Sequence, residues 1–246
     1  MTFLRSTLFM LWFASVSVLL CLVCLPLLLG PRAGAGWLGR LWSRLTFWGL
    51  RAIAGTRYEV RGTPPPPGVL IAIKHMSMWD TCAIYTLLGD PAIVLKRGLL
   101  MIPFYGWYLW KAGMIPIARD GGASTLRNMV ANAKAELARG RSVVIFPEGT
   151  RRKVGAAPDY KPGVAGLYGQ LGVACVPVAL SSGLFWTGFI KRSGTIVLEF
   201  LPPIPPGLPR REFMPRLEAA IEGATNDLIL EGRNQMERRN SSPAFS

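Results

Sequence analysis

Short apolar runs alternate with amphipathic stretches through most of the chain after residue 55. Runs rich in β-branched side chains are typical of buried strands, and apolar residues three or four positions apart are typical of helices. The runs predict strands at 58–61, 68–73, 92–95, 114–117, 142–146, 173–180 and 195–201. The amphipathic stretches predict helices at 81–88, 124–139, 163–171 and 210–230. This alternation predicts an α/β fold with a mixed, largely parallel sheet flanked by helices.

The start of the chain has a different pattern. No charged residue occurs from Thr7 to Leu29, and this stretch of about 23 residues is long enough to cross a bilayer core of about 30 Å. Residues 37–54 then alternate leucine and tryptophan with arginine at helical spacing, which is typical of a basic helix in a membrane interface. We therefore expect a membrane-attached helical segment at 1–55, a globular domain at 56–232 and a disordered polar tail at 233–246.

The apolar run also bears on topology. It is longer than the core of about 7–15 residues in most signal peptides, so retention is favoured over cleavage, although Ala33-Gly34-Ala35 fits a cleavage pattern. Positive residues are denser after the run than before it, which predicts a globular domain on the cytoplasmic side of the inner membrane. A full span and a helical hairpin that dips into one leaflet both fit this pattern.

The amino-acid composition limits the kinds of molecule that the chain is expected to bind. The formal net charge is +14, but charged residues make up only 17% of the chain and hydrophobic residues 50%. An anionic membrane or a phosphorylated substrate therefore fits the charge better than nucleic acid does. The four cysteines lie in apolar surroundings and the chain has one histidine, so we expect neither a disulfide framework nor a metal site.

The single histidine, His75, is followed five positions later by Asp80. On one helix this spacing would point the two side chains about 140° apart, so they meet only if His75 precedes the helix. The predicted strand before His75 and the predicted helix after it allow that arrangement. The imidazole could then accept a proton from a substrate hydroxyl while the carboxylate holds the other ring nitrogen. Alternatively, Ser77 and Asp80 form a capping box for the helix.

Several charged residues follow predicted strands directly. Lys96, Arg119 and the segment from Glu148 to Arg151 occupy the same position relative to their strands as His75 does. Ligands of α/β sheets collect at the carboxyl ends of the strands. The sequence therefore predicts that these residues form one site.

The segment from Leu99 to Trp110 carries many large apolar side chains and almost no charge. A core helix is one interpretation of this segment. Contact with an acyl chain, or shallow insertion into a bilayer, is the other.

Four motifs occur in order along the domain: His75-x4-Asp80, Gly113 to Arg119, Phe146-Pro-Glu-Gly-Thr-Arg151 and Val176 to Leu180. Together they resemble the motifs of the glycerolipid acyltransferases, and most of all those of the bacterial 1-acylglycerol-3-phosphate acyltransferases. The resemblance covers roughly residues 71–201 and extends to the membrane-attached N-terminus. One departure is Ala118, which stands where the family commonly has an acidic residue before the motif arginine.

The resemblance implies a reaction. An acyl group would move from acyl-CoA or acyl-carrier protein, as co-substrate and with no further cofactor, to the sn-2 hydroxyl of lysophosphatidate, giving phosphatidic acid. His75 would be the general base and Asp80 its orienting partner, with no covalent acyl-enzyme. A guanidinium offers bidentate donors to a phosphate, so an arginine suits the acceptor site. The residues implied to bind substrate are Arg151, Glu148, Gly149, Thr150, Arg119 and Lys96.

Other functions remain as alternatives. The same chemistry could act on glycerol-3-phosphate, a lyso-ornithine lipid or another lysophospholipid. A serine lipase or esterase is disfavoured because the sequence has no Gly-x-Ser-x-Gly motif, and nucleotide hydrolysis because it has no phosphate-binding loop ending in Gly-Lys-Ser/Thr. A non-catalytic, basic membrane-binding module is the last alternative, and it predicts that His75→Ala leaves function intact.

Overall fold

The computed structural model describes residues 1–118 and 122–241. Its helices are α1 (Thr2–Val23), α2 (Arg32–Gly49), α3 (Met78–Leu87), α4 (Tyr105–Lys111), α5 (Gly122–Ala138), α6 (Gly163–Leu171), α7 (Ser182–Phe185) and α8 (Arg210–Ser241). Its strands are β1 (Thr56–Arg61), β2 (Leu70–Ile73), β3 (Ala92–Lys96), β4 (Ile115–Ile117), β5 (Val143–Ile145), β6 (Cys175–Leu180), β7 (Trp186–Thr187), β8 (Ile190–Lys191) and β9 (Gly194–Phe200). Short helical turns lie at Leu25–Leu28, Leu50–Ala54 and Arg97–Met101.

Seven of the strands form one sheet in the order β1-β9-β6-β2-β5-β3-β4. All neighbouring pairs are parallel except β6 and β9, so β1 and β9 run opposite to the other five strands. Strands β7 and β8 form a separate antiparallel hairpin. The prediction of an α/β fold with a mixed, largely parallel sheet is confirmed, and each predicted strand is present with ends within about two residues.

The sheet is buried on both faces, as continuous apolar strands require. Side chains that alternate along β2 enter two different cores: Ile71 and Ile73 face one, and Leu70 and Ala72 face the other. The first core is closed by α2, α3 and α4, and the second by α5, α6 and α8. This layering leaves the carboxyl ends of the five central strands as the edge where loops can build a site.

Helix α1 lies along the surface of the globular domain. Near its start, Ser6 Oγ accepts a hydrogen bond of 2.9 Å from the backbone N–H of Lys191. Near its end, the Tyr108 hydroxyl donates to the Cys21 carbonyl over 3.0 Å. Within the described ranges, α1 is the one helix long and apolar enough to cross a membrane. The domain nevertheless touches it near both ends.

Helix α8 runs further than the sequence predicts. A disordered tail is expected from Arg233, but the helix continues to Ser241, so that expectation is wrong up to this residue; residues 242–246 lie outside the described part. The extension has partners, because Arg61 forms a two-bond ion pair of 2.7 and 2.8 Å with Glu231 and Met236 packs against the first core. A polar composition hid contacts that depend on the distant strand β1.

The segment from 99 to 110 is not one core helix. The chain forms a helical turn, reverses, and enters α4 only at Tyr105. The reversal brings Gly106 so close to Leu100 that a Cβ at this glycine would lie 2.1 Å from the Leu100 carbonyl oxygen. Tyr108 and Leu109 are buried, but Trp107 and Trp110 are exposed, the latter by 74%. The interpretation as a purely buried helix is therefore wrong for half of this segment.

Candidate active site

The carboxyl ends of three central strands bring the candidate residues to one edge of the sheet. His75 follows β2, Lys96 ends β3, and the loop of residues 146–152 follows β5. Strand β5 lies between β2 and β3 in the sheet, so its loop lies beside His75. Arg119, which the sequence also assigns to the site, lies outside the described residues.

His75 and Asp80 are in direct contact. The imidazole Nδ1 lies 3.0 Å from Asp80 Oδ2, and His75 precedes α3 while Asp80 lies in its first turn. The same carboxylate oxygen accepts the backbone N–H groups of Met76 and Ser77 over 2.6 and 2.8 Å. The Asp80 carboxylate therefore caps α3 and contacts His75 at the same time. Both interpretations of this stretch hold together.

The contact fixes the roles of the two ring nitrogens. An ionised carboxylate only accepts hydrogen bonds, so Nδ1 carries the proton and Nε2 keeps a free electron pair. The ring stacks on Phe146, with centroids 3.9 Å apart and planes 23° apart. The His75 side chain remains 12% exposed, whereas that of Asp80 is fully buried. This arrangement presents a base with a fixed direction to whatever binds above it.

Asp80 has further donors that sequence reasoning missed. Its second oxygen, Oδ1, accepts hydrogen bonds from the hydroxyls of Ser77 and Ser182, and Ser77 Oγ lies 2.9 Å from Ser182 Oγ. Ser182 is fully buried at the start of α7, two residues after β6 ends. That position, just past a central strand at the same edge as His75, is the sequence signal that could have identified it.

Glu148 lies beneath the open face of the site. It is 1% exposed, and its Oε1 accepts a hydrogen bond of 2.9 Å from the buried Lys74 ammonium. Burial raises the pKa of the Glu148 carboxyl, and the Lys74 ammonium together with the backbone N–H of His75 opposes that rise. This position favours a role in holding the site together over direct contact with an acceptor.

Gly149, Thr150 and Arg151 form the exposed part of the same loop. Gly149 has a φ of +63°, a conformation that favours glycine, and its N–H bonds to the Phe146 carbonyl to close the turn. The Arg151 guanidinium lies 3.3 Å from the Met78 sulfur, beside the N-terminal turn of α3. In the part of the chain that the structure describes, Arg151 forms no ion pair with a carboxylate, so its charge is available to an anion.

Lys96 is exposed at the end of β3 and is paired in register with Ile117 of β4. The structure thus brings His75, Arg151 and Lys96 to one edge. Among the described residues, no group of three or more His, Cys, Asp or Glu side chains is placed to hold a metal ion. Burial raises the pKa of the Cys175 thiol to about 12 and that of the Cys82 thiol further, so neither is a ready nucleophile.

The fold and the site define a class: an α/β protein with a histidine–aspartate pair and an exposed cationic loop at one edge of a largely parallel sheet. The model of the Acyltransferase family matches residues 57–181, about half of the chain. This chain belongs to that family.

Named relatives agree with the assignment. A 1-acyl-sn-glycerol-3-phosphate acyltransferase of Pseudomonas aeruginosa is 37% identical over 160 residues, which are 63% of this chain and 62% of that protein. A human 1-acyl-sn-glycerol-3-phosphate acyltransferase alpha is 30% identical over 171 residues, 66% of this chain and 60% of its own length. The match with these two relatives thus spans less than two thirds of their length. A lyso-ornithine lipid O-acyltransferase of Pseudomonas aeruginosa is 30% identical over 201 residues, 72% of this chain and 77% of that protein.

A solved structure shares the fold. The crystal structure of the 1-acyl-sn-glycerophosphate acyltransferase from Thermotoga maritima matches with a TM-score of 0.73 and 19% identity. The match covers 93% of this chain and 99% of that one.

Proposed function

We propose that this protein is a membrane-bound acyltransferase that moves a fatty acyl group from a thioester donor to the sn-2 hydroxyl of lysophosphatidic acid, giving phosphatidic acid. The observation that carries the proposal is the contact between His75 and Asp80 at the sheet edge that also holds Arg151. The relative at 37% identity, which is named for this acceptor, supports the choice of lysophosphatidic acid.

His75 acts as general base in a direct transfer. Its Nε2 takes the proton of the sn-2 hydroxyl as the oxygen attacks the thioester carbonyl carbon. The new C–O bond forms, the C–S bond breaks, and the imidazolium returns the proton to the departing thiolate. Asp80 holds Nδ1–H throughout and stabilises the imidazolium, and its five donors keep the carboxylate in place.

Arg151 binds the acceptor phosphate. Its guanidinium offers a bidentate match to phosphate oxygens, and the nearby N-terminus of α3 adds favourable dipole charge. Thr150 and Gly149 shape the turn that presents it. Lys96 adds positive charge at the end of β3, and Arg119 is assigned to the same task on its motif position alone.

Acyl-CoA and acyl-carrier protein are both proposed as donors, because the mechanism asks only for a thioester. The chain supplies the base and the anion-binding groups, and it needs no further cofactor for this reaction. The exposed cationic loop suits either donor, since both carry phosphate groups next to the acyl arm.

The membrane holds the acceptor, and the protein presents an apolar surface to it. Leucines on α1 and the tryptophans Trp107 and Trp110 of α4 are exposed, and a groove of about 350 Å³ lies between the turn at Leu25–Leu28 and α4. Lys111 lies at the rim of this groove. Tryptophan beside lysine is typical of membrane interfaces. The contacts near both ends of α1 favour a hairpin that dips into one leaflet over a full span.

The cytoplasmic face of the inner membrane is the proposed location. The dense arginines that follow α1 support a catalytic domain on that side, by the bias of positive residues toward the cytoplasm. Anionic lipids on the same face suit the net charge of +14.

A lyso-ornithine lipid is the second candidate acceptor. The relative named for that acceptor matches a larger share of this chain, 72%, than the other two curated relatives named above. Ornithine is an amino acid, and a guanidinium can bind its carboxylate as well as a phosphate, so Arg151 suits either acceptor. Parallel assays of the parent with each acceptor therefore separate the two candidates.

The test is transfer of a labelled acyl group by membranes that contain the parent, His75→Ala or Arg151→Ala. We expect His75→Ala to lower kcat by about a hundredfold or more. We expect Arg151→Ala to raise the KM for lysophosphatidate by about 10- to 100-fold. Arg211→Ala, at an exposed arginine near the start of α8, is the matched control and should leave both constants unchanged.

Two results would contradict the proposal. Full activity of His75→Ala would remove the general base and support a different mechanism. A parent that forms no phosphatidic acid from either donor but acylates the lyso-ornithine lipid would replace the acceptor and leave the mechanism standing.

A further inference from the structure

A buried charge cluster lies directly under His75. Lys74 is only 3% exposed, and its Nζ donates to Glu148 Oε1 over 2.9 Å and to Glu222 Oε1 over 2.7 Å. The Tyr160 hydroxyl donates to the same Glu222 oxygen over 2.9 Å. Burial and the Glu222 carboxylate raise the pKa of Tyr160, so its hydroxyl stays protonated and keeps donating.

The members of the cluster come from four separate parts of the chain. Lys74 follows β2, Glu148 follows β5, Tyr160 precedes α6, and Glu222 lies in the middle of α8. Strands β2 and β5 are hydrogen-bonded neighbours, so the contact between Lys74 and Glu148 joins the two strand ends that carry the site. Glu222 lies beyond the residues 57–181 that match the family model, so α8 reaches the site from outside that region.

The loop after β5 holds His75 by several contacts, and Lys74 holds that loop. The backbone N–H of Arg152 donates to the His75 carbonyl over 2.8 Å, and Phe146 stacks on the imidazole. Any shift of Glu148 therefore moves the surroundings of the histidine on both its backbone and its ring.

The desolvation cost of these buried charges indicates that the cluster fixes the positions of the elements around His75 more than it adds to the stability of the fold. Burying an ammonium and two carboxylates costs desolvation energy, and a buried ion pair often adds no more stability than apolar residues of the same size would. Buried polar groups in defined registers do specify one arrangement of the elements that carry them. This cluster joins the ends of two strands to a distant helix next to His75. It can therefore specify one arrangement of these elements.

We propose that Lys74, Glu148 and Glu222 are positioning residues that fix His75, and that α8 takes part in the site through Glu222. None of the three needs to touch substrate. The proposal rests on the role of His75 in the proposed function. It gives Glu148 a structural task below the site and assigns a task to Lys74 that no motif describes.

The first test is a mutant cycle between Lys74→Met and His75→Ala, measured as acyl transfer. We expect Lys74→Met to lower kcat by about tenfold or more, with the acceptor KM little changed, because small misplacement of a base is costly. In the His75→Ala background, Lys74→Met should cause no further loss. Lys134→Met, at an exposed lysine on α5, is the control and should have no effect in either background.

A second test uses rescue at Glu222. Glu222→Ala removes the acceptor for both Lys74 and Tyr160, whereas Glu222→Gln keeps an oxygen that accepts from both. We expect Glu222→Ala to lower kcat and Glu222→Gln to restore most of it. Glu212→Ala, at an exposed glutamate near the start of the same helix, is the matched control. This pair also keeps the proposal testable if Lys74→Met does not fold.

A third test needs no activity, because His75 is the only histidine of the chain. In untagged protein, diethyl pyrocarbonate modification of histidine reports on His75 alone. We expect Lys74→Met and Glu222→Ala to speed the modification several-fold over the parent and over Lys134→Met. Unchanged modification and unchanged kcat, with only a lower unfolding temperature, would show that the cluster is merely structural. A parent that transfers no acyl group would contradict the proposed function, yet this measurement would still test the positioning.

Discussion

The Asp80 carboxylate accepts more hydrogen bonds than its role beside His75 requires. Its two oxygens accept from two backbone amides, two serine hydroxyls and the imidazole, while the side chain is fully buried. An ionised carboxylate is stable in such a place only because these donors replace water. The start of α3 and the direction of the His75 ring therefore depend on the same atom.

The hydroxyl of Ser182 is the donor to Asp80 that comes from the most distant part of the chain. We predict that Ser182→Ala lowers kcat by about tenfold, because the carboxylate loses one charge-assisted hydrogen bond and gains freedom to rotate away from His75. The KM for the acceptor should not change. Steady-state kinetics against both substrates measure the two effects separately.

Ser181→Ala is the matched control for this prediction. Ser181 is also buried, but its hydroxyl accepts from the backbone N–H of Val197 and makes no contact with Asp80. It should lower the unfolding temperature and spare kcat. Equal losses of kcat in the two variants would mean that Ser182 acts on folding alone.

Sequence reasoning found the residues whose position in the chain reports their place in the fold. His75, Lys96 and Arg151 each follow an apolar run, so the strand pattern alone placed them at one edge. Ser182 and Glu222 contact the site across 102 and 148 residues, and no local pattern announces such contacts. Lys74 was visible next to His75, but its burial depends on two carboxylates from other elements.

At the scale of elements, the hairpin of β7 and β8 docks α1 through an unusual lysine. Lys191 is 1% exposed and has no carboxylate partner among the described residues. Its ammonium donates to the carbonyls of Gly188 and Phe189 and lies 4.8 Å from the Trp186 ring centroid. Burial lowers the pKa of Lys191 to about 8.

This shift predicts a pH dependence of stability. Between pH 8 and 10.5 the unfolded chain holds a proton on Lys191 that the folded chain has released, so the contribution of this group to stability rises with pH in that window. Replacing Lys191 with methionine should remove this increase of stability with pH. We expect the difference in unfolding temperature between the parent and Lys191→Met, measured from pH 7 to 10, to change in favour of the parent above pH 8.

The exposed Lys134 gives the control for this measurement. Lys134→Met should follow the parent at every pH, because this side chain is exposed on α5 and takes no part in the contact with α1. Parallel curves for the parent and Lys191→Met would contradict the predicted pH dependence.

The predicted elements failed where a helix depends on remote partners. The end of α8 from Arg233 is predicted as a disordered tail, since its composition is polar, yet Met236 packs against the first core and Arg61 of β1 binds Glu231 just before this stretch. The chain reversal before α4 was missed because the segment is apolar rather than polar. An apolar composition suggested a continuous buried helix, but the close contact at Gly106 leaves two tryptophans outside.

At the scale of the molecule, the path of α1 limits the ways in which this helix could enter a membrane. A helix of 22 residues is about 33 Å long, close to the thickness of a bilayer core. The globular domain contacts α1 near both ends, through Lys191 and Tyr108. A perpendicular span would carry one of these ends to the far side of the bilayer and break its contact.

We therefore predict that the start of α1 and the end of α2 lie on the same side of the membrane. Cysteines introduced singly as Thr2→Cys and Arg51→Cys, at the start of α1 and just after α2, in a background without Cys21 and Cys24, should both react with an impermeant maleimide from the side of the catalytic domain. Ala157→Cys, in an exposed loop of that domain, marks the side. Labelling of Thr2→Cys from the opposite side alone would establish a full span.

The pairing of β1 with β9 has a consequence for the order in which the molecule is made. Thr56 pairs with Gly194, about 140 residues later, so at about 5–20 residues per second β1 leaves the ribosome roughly 7–28 s before its partner. During that interval the N-terminal helices have been synthesised, while β1, the strand that follows them, is an open edge. The first strand of the chain is thus among the last to be placed, and it joins the sheet only when the C-terminal third of the chain arrives.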